Sequence, residues 1–229
     1  MRLACRTESF LGFVGLFVLL LAVVGVPAAE AGDFTIGLKG WYASRTTDGL
    51  EDDEAFMDPG VYFAWDVNDR LWLSAGYVGG EVDFRIPQST TTGSIEEVDS
   101  DLIVGWGFSK VDVGVGYRLT EFTTNVVIPG IPNQSFTTKS GGPMFYLGGG
   151  NLFGQSRWGY YWGVAYMFED LEDSDGSQKH INGEAGLRWT SAQNFSVLFG
   201  YRHKQYSGEG SSDLTFAGPV VNFAYTFRN

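Results

Sequence analysis

Histidine occurs only twice in this 229-residue chain, at His180 and His203. Any hydrolytic site that uses an imidazole must therefore be built on one of them. Asp170, Asp173, Asp175 and Ser177 lie close to His180 in sequence, which leaves room for a His–Asp pair orienting a water or a hydroxyl nucleophile. A solvated histidine at a loop end is the plainer reading, because neither a G-x-S-x-G elbow nor an H-E-x-x-H zinc pair is present. Acid comes in two blocks, Asp48, Glu51, Asp52, Asp53, Glu54 and Asp58, then Glu169, Asp170, Glu172, Asp173 and Asp175. Hard divalent cations take such oxygen ligands, and Asp173-Ser174-Asp175-Gly176 matches part of a calcium loop without its remaining ligand positions. A hydrated, repelling surface is the other reading of the same residues. Nothing in the sequence asks for a cofactor, and no residue stands out as catalytic.

Lys plus Arg number 15 and Asp plus Glu 27, a formal net charge of -12. So acidic a chain repels phosphates, and nucleic acid is excluded as a partner. The aromatic content of 16% supplies ample surface to bury, which excludes intrinsic disorder. A single cysteine, Cys5, excludes a disulfide framework. The 32 glycines and the aromatic richness disfavour a helical bundle. Residues 1–31 have the form of a secretory signal: Arg2 and Arg6, an uncharged run from Phe10 to Val26, then Pro27 and the small-residue pattern Ala29-Glu30-Ala31. Cleavage before Gly32 leaves a domain of residues 32–229 with the same net charge, since Arg2 and Arg6 are offset by Glu8 and Glu30. An uncleaved anchor is the alternative, with an apolar run at the lower limit of the roughly 17–25 residues that span a bilayer.

Beyond Gly32 the period is two almost everywhere, the signature of strands. Ten runs are expected, near 33–45, 58–67, 70–84, 96–108, 111–124, 136–149, 157–169, 178–190, 195–206 and 213–228. A bulge is expected at Gly79-Gly80. The stretch from Val111 sets Val111, Val113, Val115, Tyr117 and Leu119 against Asp112, Gly114, Gly116, Arg118 and Thr120. From His180, Ile181, Gly183, Ala185, Leu187 and Trp189 oppose His180, Asn182, Glu184, Gly186 and Arg188.

Periodicity alone leaves open which face is inside, and three features turn the aromatic face toward lipid. The polar face is rich in small residues, among them Gly37, Gly76, Gly105, Gly114, Gly163 and Gly200, which suits a narrow lumen and not a wet strand surface. Aromatics recur near run ends, so Trp65, Trp106, Trp158, Trp189 and Phe227, with Tyr201, are candidates for a membrane-interface girdle. Connections alternate between tight turns at 67–70, 108–110 and 190–194, with a somewhat longer one at 151–156, and long polar segments near 46–57, 85–95, 125–135, 170–177 and 207–212. An even strand number then leaves both termini at the short-turn end.

In these respects the chain resembles small bacterial outer-membrane β-barrel proteins. The terminal Phe223-Ala224-Tyr225-Thr226-Phe227 resembles the aromatic signal that such proteins offer to the barrel-assembly machinery, though Arg228 and Asn229 follow it here. The resemblance implies an all-β, closed, antiparallel up-and-down transmembrane barrel in a Gram-negative outer membrane. Its partners are then membrane lipid, lipopolysaccharide, the assembly machinery and divalent cations at the loops.

Inside such a barrel a charge network is expected from Lys39, Asp66, Asp101, Asp112, Arg118, Glu184, Arg188 and Arg202, joined by Asp99 and Lys204. Buried charges must be paired or hydrated, so these residues form either a salt-bridged plug or a polar conduit. The uncharged loop Asn125–Pro132 is expected to fold into the mouth or to offer a sticky patch. The role that follows is structural or that of a narrow pore. A membrane hydrolase with a rim site at His180, and a soluble periplasmic barrel holding an apolar ligand against an inward aromatic face, are the alternatives.

Overall fold

Strands this regular leave few ways to satisfy their backbones, and the computed structural model shows the one they take. It describes residues 32–47, 56–86, 89–171, 177–208 and 213–228, and among these it contains ten strands and no helix. They are β1 (Phe34–Thr47), β2 (Phe56–Asp66), β3 (Leu71–Arg85), β4 (Thr92–Phe108), β5 (Val111–Val127), β6 (Gln134–Leu152), β7 (Trp158–Leu171), β8 (Ser177–Thr190), β9 (Phe195–Gly208) and β10 (Leu214–Phe227). Each pairs antiparallel with its sequence neighbours, and β1 pairs with β10 from Phe34↔Phe227 to Thr47↔Leu214, closing the barrel. Both ends of the described chain lie at the short-turn rim. Two of those turns hold a non-glycine residue with positive φ, Ser109 at 60° and Asn194 at 62°, types that tolerate the left-handed region in tight connections.

The expected strand positions hold within a few residues, the sixth included, while the bulge and the folded-in loop are corrected. No bulge occurs at Gly79-Gly80, where the β3–β4 register runs unbroken through Val78↔Asp99, Gly79↔Val98 and Gly80↔Glu97; flexible glycine permits a bulge without requiring one. The glycine-rich sixth run is a strand of 19 residues, and only its register with β7 is interrupted, between Gly141↔Asp170 and Met144↔Met167. Pro143 falls in that gap and offers no N–H to a ladder. Nor does the apolar loop enter the mouth. The β5–β6 pairing continues out to Val126↔Gln134, and Val127 (41%) and Ile131 (49%) stand exposed at its tip.

Exposure alternates residue by residue. On β5, Val111, Val113, Val115, Tyr117 and Leu119 are exposed while Arg118 and Thr120 are buried. The same phase around the wall exposes Leu38, Phe145, Val164, Leu187, Phe199 and Phe223. An apolar belt this continuous is what a hydrocarbon solvent wets and water does not. The soluble barrel with an inward aromatic face is thereby overturned.

The inward glycines have a definite use. A Cβ at Gly37 would fall within the ring of Tyr62, at Gly105 within that of Trp72, at Gly200 on the Tyr161 hydroxyl, and at Gly148 and Gly163 on Tyr146. These rings lie against the inner wall, and glycine provides the recess. The Gly105→Ala variant is expected to cost about 1–3 kcal/mol of stability through overpacking. Most of that loss should vanish in a Trp72→Leu background, as measured by urea unfolding of the refolded barrel. An equal cost in both backgrounds would remove the recess argument.

Candidate functional site in the barrel lumen

In the closed strand order β4 and β9 lie diametrically opposite, five strands apart in either direction. Lys204 on β9 nevertheless donates hydrogen bonds to the carboxylates of both Glu97 and Asp99 on β4. The Tyr206 hydroxyl, also on β9, donates to Glu97 at 2.8 Å. These contacts run straight across the lumen. On the β4 side Arg118 donates to Asp101 at 2.9 Å and reaches Asp99 at 3.5 Å, and the Thr120 hydroxyl donates to Asp99 at 2.9 Å. Glu97, Asp99, Arg118, Thr120, His180, Lys204 and Tyr206 are each at most 4% exposed.

Aromatic packing fills what the ions leave. His180 stacks on Tyr206 with centroids 4.1 Å apart, and Phe122 meets the same ring edge-on at 5.2 Å. Trp41, Phe216 and Val220 join Tyr206 in one buried cluster, and Met144 and Met167 close the wall by β6 and β7 in another. The resulting plug occupies the long-loop half of the barrel. A lumen filled by side chains is the expected state of a narrow barrel.

Below the plug lies a cavity of about 310 Å3. Lys39 donates to Glu184 at 2.6 Å, Asn222 Nδ2 donates to the other oxygen of Glu184 at 3.0 Å, and Arg202 Nε donates to Asn182 Oδ1 at 3.0 Å. The Arg202 guanidinium also lies 4.4 Å over the Trp41 ring, a cation–π contact. Tyr146 and Tyr161 line both this cavity and a recess at the short-turn mouth, and so stand between the two.

The expected charge network therefore divides. Lys39, Asp99, Asp101, Arg118, Glu184, Arg202 and Lys204 meet at the plug or the cavity. Asp66, Asp112 and Arg188 do not; they line the short-turn mouth, where Asp66 and Arg188 are exposed and Arg188 Nε donates to the Thr190 hydroxyl at 3.2 Å. Their faces are inward as expected, but their height puts them in water. Glu97, Tyr206, Asn182 and Asn222 are additional members. Glu97 shares the phase of Asp99 and Asp101, so the alternation could have found it. That Tyr206 would pair across the lumen has no signal in the sequence.

Among the girdle candidates, Trp106 (40%), Trp158 (45%) and Phe227 (52%) are exposed and Trp189 half-buried near the short-turn rim. Two placements differ from expectation. Trp65 is 7% exposed because it packs with Val67, Leu73 and Phe34. Tyr201 stands mid-strand, opposite Ala185 and Pro219, and is far from either rim. His203 points outward and His180 inward, so the two share no site. His180 is not the solvated loop-end residue expected, being 0% exposed within the plug. The acidic positions at 48–55 and 172–176, and the signal at 1–31, lie outside the described residues.

No protein-family profile matches the chain, and no curated protein matches it by sequence. Solved structures do match. The transport unit of the autotransporter AIDA-I from Escherichia coli aligns at TM-score 0.50 and 10% identity, covering 86% of this chain and 89% of that one. The β domain of the Bordetella autotransporter BrkA aligns at TM-score 0.49 and 10% identity, covering 87% and 100%. Ail, the attachment invasion locus protein of Yersinia pestis, aligns at 0.49 and 10%, covering 86% and 99%. The fold is that of an outer-membrane β-barrel. At such identities the likeness ends with the fold.

Breaking the cross-lumen contact should be costly. Glu97 would lose its ion-pair partner in a dry interior and keep the Tyr206 hydroxyl alone of the contacts described, while Asp99 would retain Arg118 and Thr120. Lys204→Met is expected to destabilise the barrel by about 3–5 kcal/mol, and adding Glu97→Gln should recover part of the loss. Chemical unfolding in lipid vesicles measures both. Additive losses in the double variant would show that the two groups do not interact.

Proposed function

We propose that this chain is an integral barrel of a Gram-negative outer membrane whose lumen is closed to solute flow, and that its role is structural. One observation carries the reading: Lys204 and Tyr206 bond to Glu97 and Asp99 on the opposite wall. A hydrated ion passing through would have to displace a buried ion pair together with the aromatic stack beside it. The apolar belt supports the membrane setting. Residues 1–31 supply the export signal, cleaved before Gly32, and β10 supplies the aromatic terminus for the barrel-assembly machinery. The short-turn rim then faces the periplasm. The long-loop rim then faces outward, and the acid-rich sequence between its strands would there repel anions or hold divalent cations against lipopolysaccharide phosphates.

The enclosure of His180 between Tyr206 and the plug speaks against its use as a general base in contact with substrate. The reading is tested in planar bilayers. Purified, heat-modifiable barrel is expected to give no steady unitary conductance, and outer-membrane fractions should retain the protein until detergent is added. Stable, discrete channel openings from the wild-type chain would sink the closed-lumen assignment.

A further inference from the structure

Among the described residues, the lumen ion pairs leave a buried cation, Arg202, with no hydrogen bond to a carboxylate. Glu97 and Asp99 are bonded to Lys204, Asp99 and Asp101 to Arg118, and Glu184 to Lys39. Arg202, 3% exposed, donates to the neutral amide of Asn182 and lies over the face of Trp41. It stands opposite Glu184 in the β8–β9 register, but that carboxylate already accepts from Lys39 and Asn222. The buried Nη1 of Arg202 has no hydrogen-bond partner among the described residues. A buried guanidinium donor left unmade is costly, and its natural complement is a planar carboxylate.

A second group points the same way. Asn222 donates its Nδ2 to Glu184, which fixes the amide orientation, and its buried Oδ1 is then an acceptor with no donor. Both Arg202 and Asn222 line the cavity, together with Tyr62, Tyr146, Tyr161 and Ile103. At about 310 Å3 the cavity lies at the small end of ligand pockets, which run from roughly 300 to 1,000 Å3.

We propose that this cavity is a binding site for a small monocarboxylate with an apolar or aromatic body and a hydroxyl group, entering from the periplasmic mouth past Tyr146 and Tyr161. Arg202 takes the carboxylate, Asn222 Oδ1 accepts the hydroxyl proton, and the tyrosine rings enclose the body. The plug seals the site from the opposite end. No bond is made or broken; the site retains its ligand.

The experiment uses the full barrel in detergent and 4-hydroxybenzoate as probe, with 4-hydroxybenzyl alcohol as the uncharged control and benzoate as the control lacking the hydroxyl. Titration calorimetry is expected to show one saturable site for 4-hydroxybenzoate and weaker binding of both controls. Arg202→Met should weaken 4-hydroxybenzoate about tenfold or more, the worth of a charge-assisted hydrogen bond, while Asn222→Leu should erase its advantage over benzoate. If Arg202→Met fails to refold, Ser74→Leu, which fills the cavity from β3, should abolish binding and keep heat modifiability. Absence of saturable binding, equal affinity for the uncharged alcohol, or unchanged affinity in a folded Arg202→Met or Ser74→Leu barrel would each refute the site. Conductance is not read in this assay, so its failure leaves the closed lumen standing.

Discussion

A peptide group in hydrocarbon has no water to bond, and each one left unpaired costs several kcal/mol. Every other property of this molecule is downstream of that constraint. Ten strands must meet edge to edge, and the pairing of β1 with β10 removes the last free edge. Closure at this strand number leaves a bore narrow enough for opposite walls to touch through one lysine side chain. The fold thus determines that the interior is a packing problem as much as an aqueous one.

Two devices solve it, and they share the inward face. Near the wall, glycine recesses accept the rings of Tyr62, Trp72, Tyr146 and Tyr161, so aromatic bulk lies flat where a Cβ would otherwise stand. Across the middle, ions of opposite sign span the gap. An ion pair so deep is weak evidence for stability in itself, since desolvation offsets much of its attraction. Its better-founded consequence is positional: Glu97, Asp99, Lys204 and Tyr206 can all be satisfied only with β4 and β9 in their observed registers.

Much of this was legible before any coordinates. Strand positions followed from alternation of period two, and the outward aromatic face from glycines such as Gly105 and Gly114 occupying the opposite phase. The lumen ions followed from that phase too, since Asp101, Arg118 and Arg202 each sit beside an outward apolar neighbour. The pairs themselves were not legible. Which carboxylate a lysine meets depends on barrel shear and strand height, and a single sequence encodes neither in short range. The same blindness explains Asp66, Asp112 and Arg188, right in face but placed at the wet rim, and Tyr201, right in face but at the wrong height. Trp41, Tyr206 and Phe216 share the inward phase of Lys39, Lys204 and Asn222, but their apolar character matches the outward face, so composition hides them.

The position of the ion cluster along the axis has one more implication. It sits toward the long loops, while Tyr146 and Tyr161 stand between the hollow beneath it and the recess at the other rim. Such a molecule is a cup stoppered at its outer lip. If the short-turn rim faces the envelope's interior, a molecule held in the hollow would exchange with that side and not with the growth medium, so the barrel would take its chemical bearings from behind.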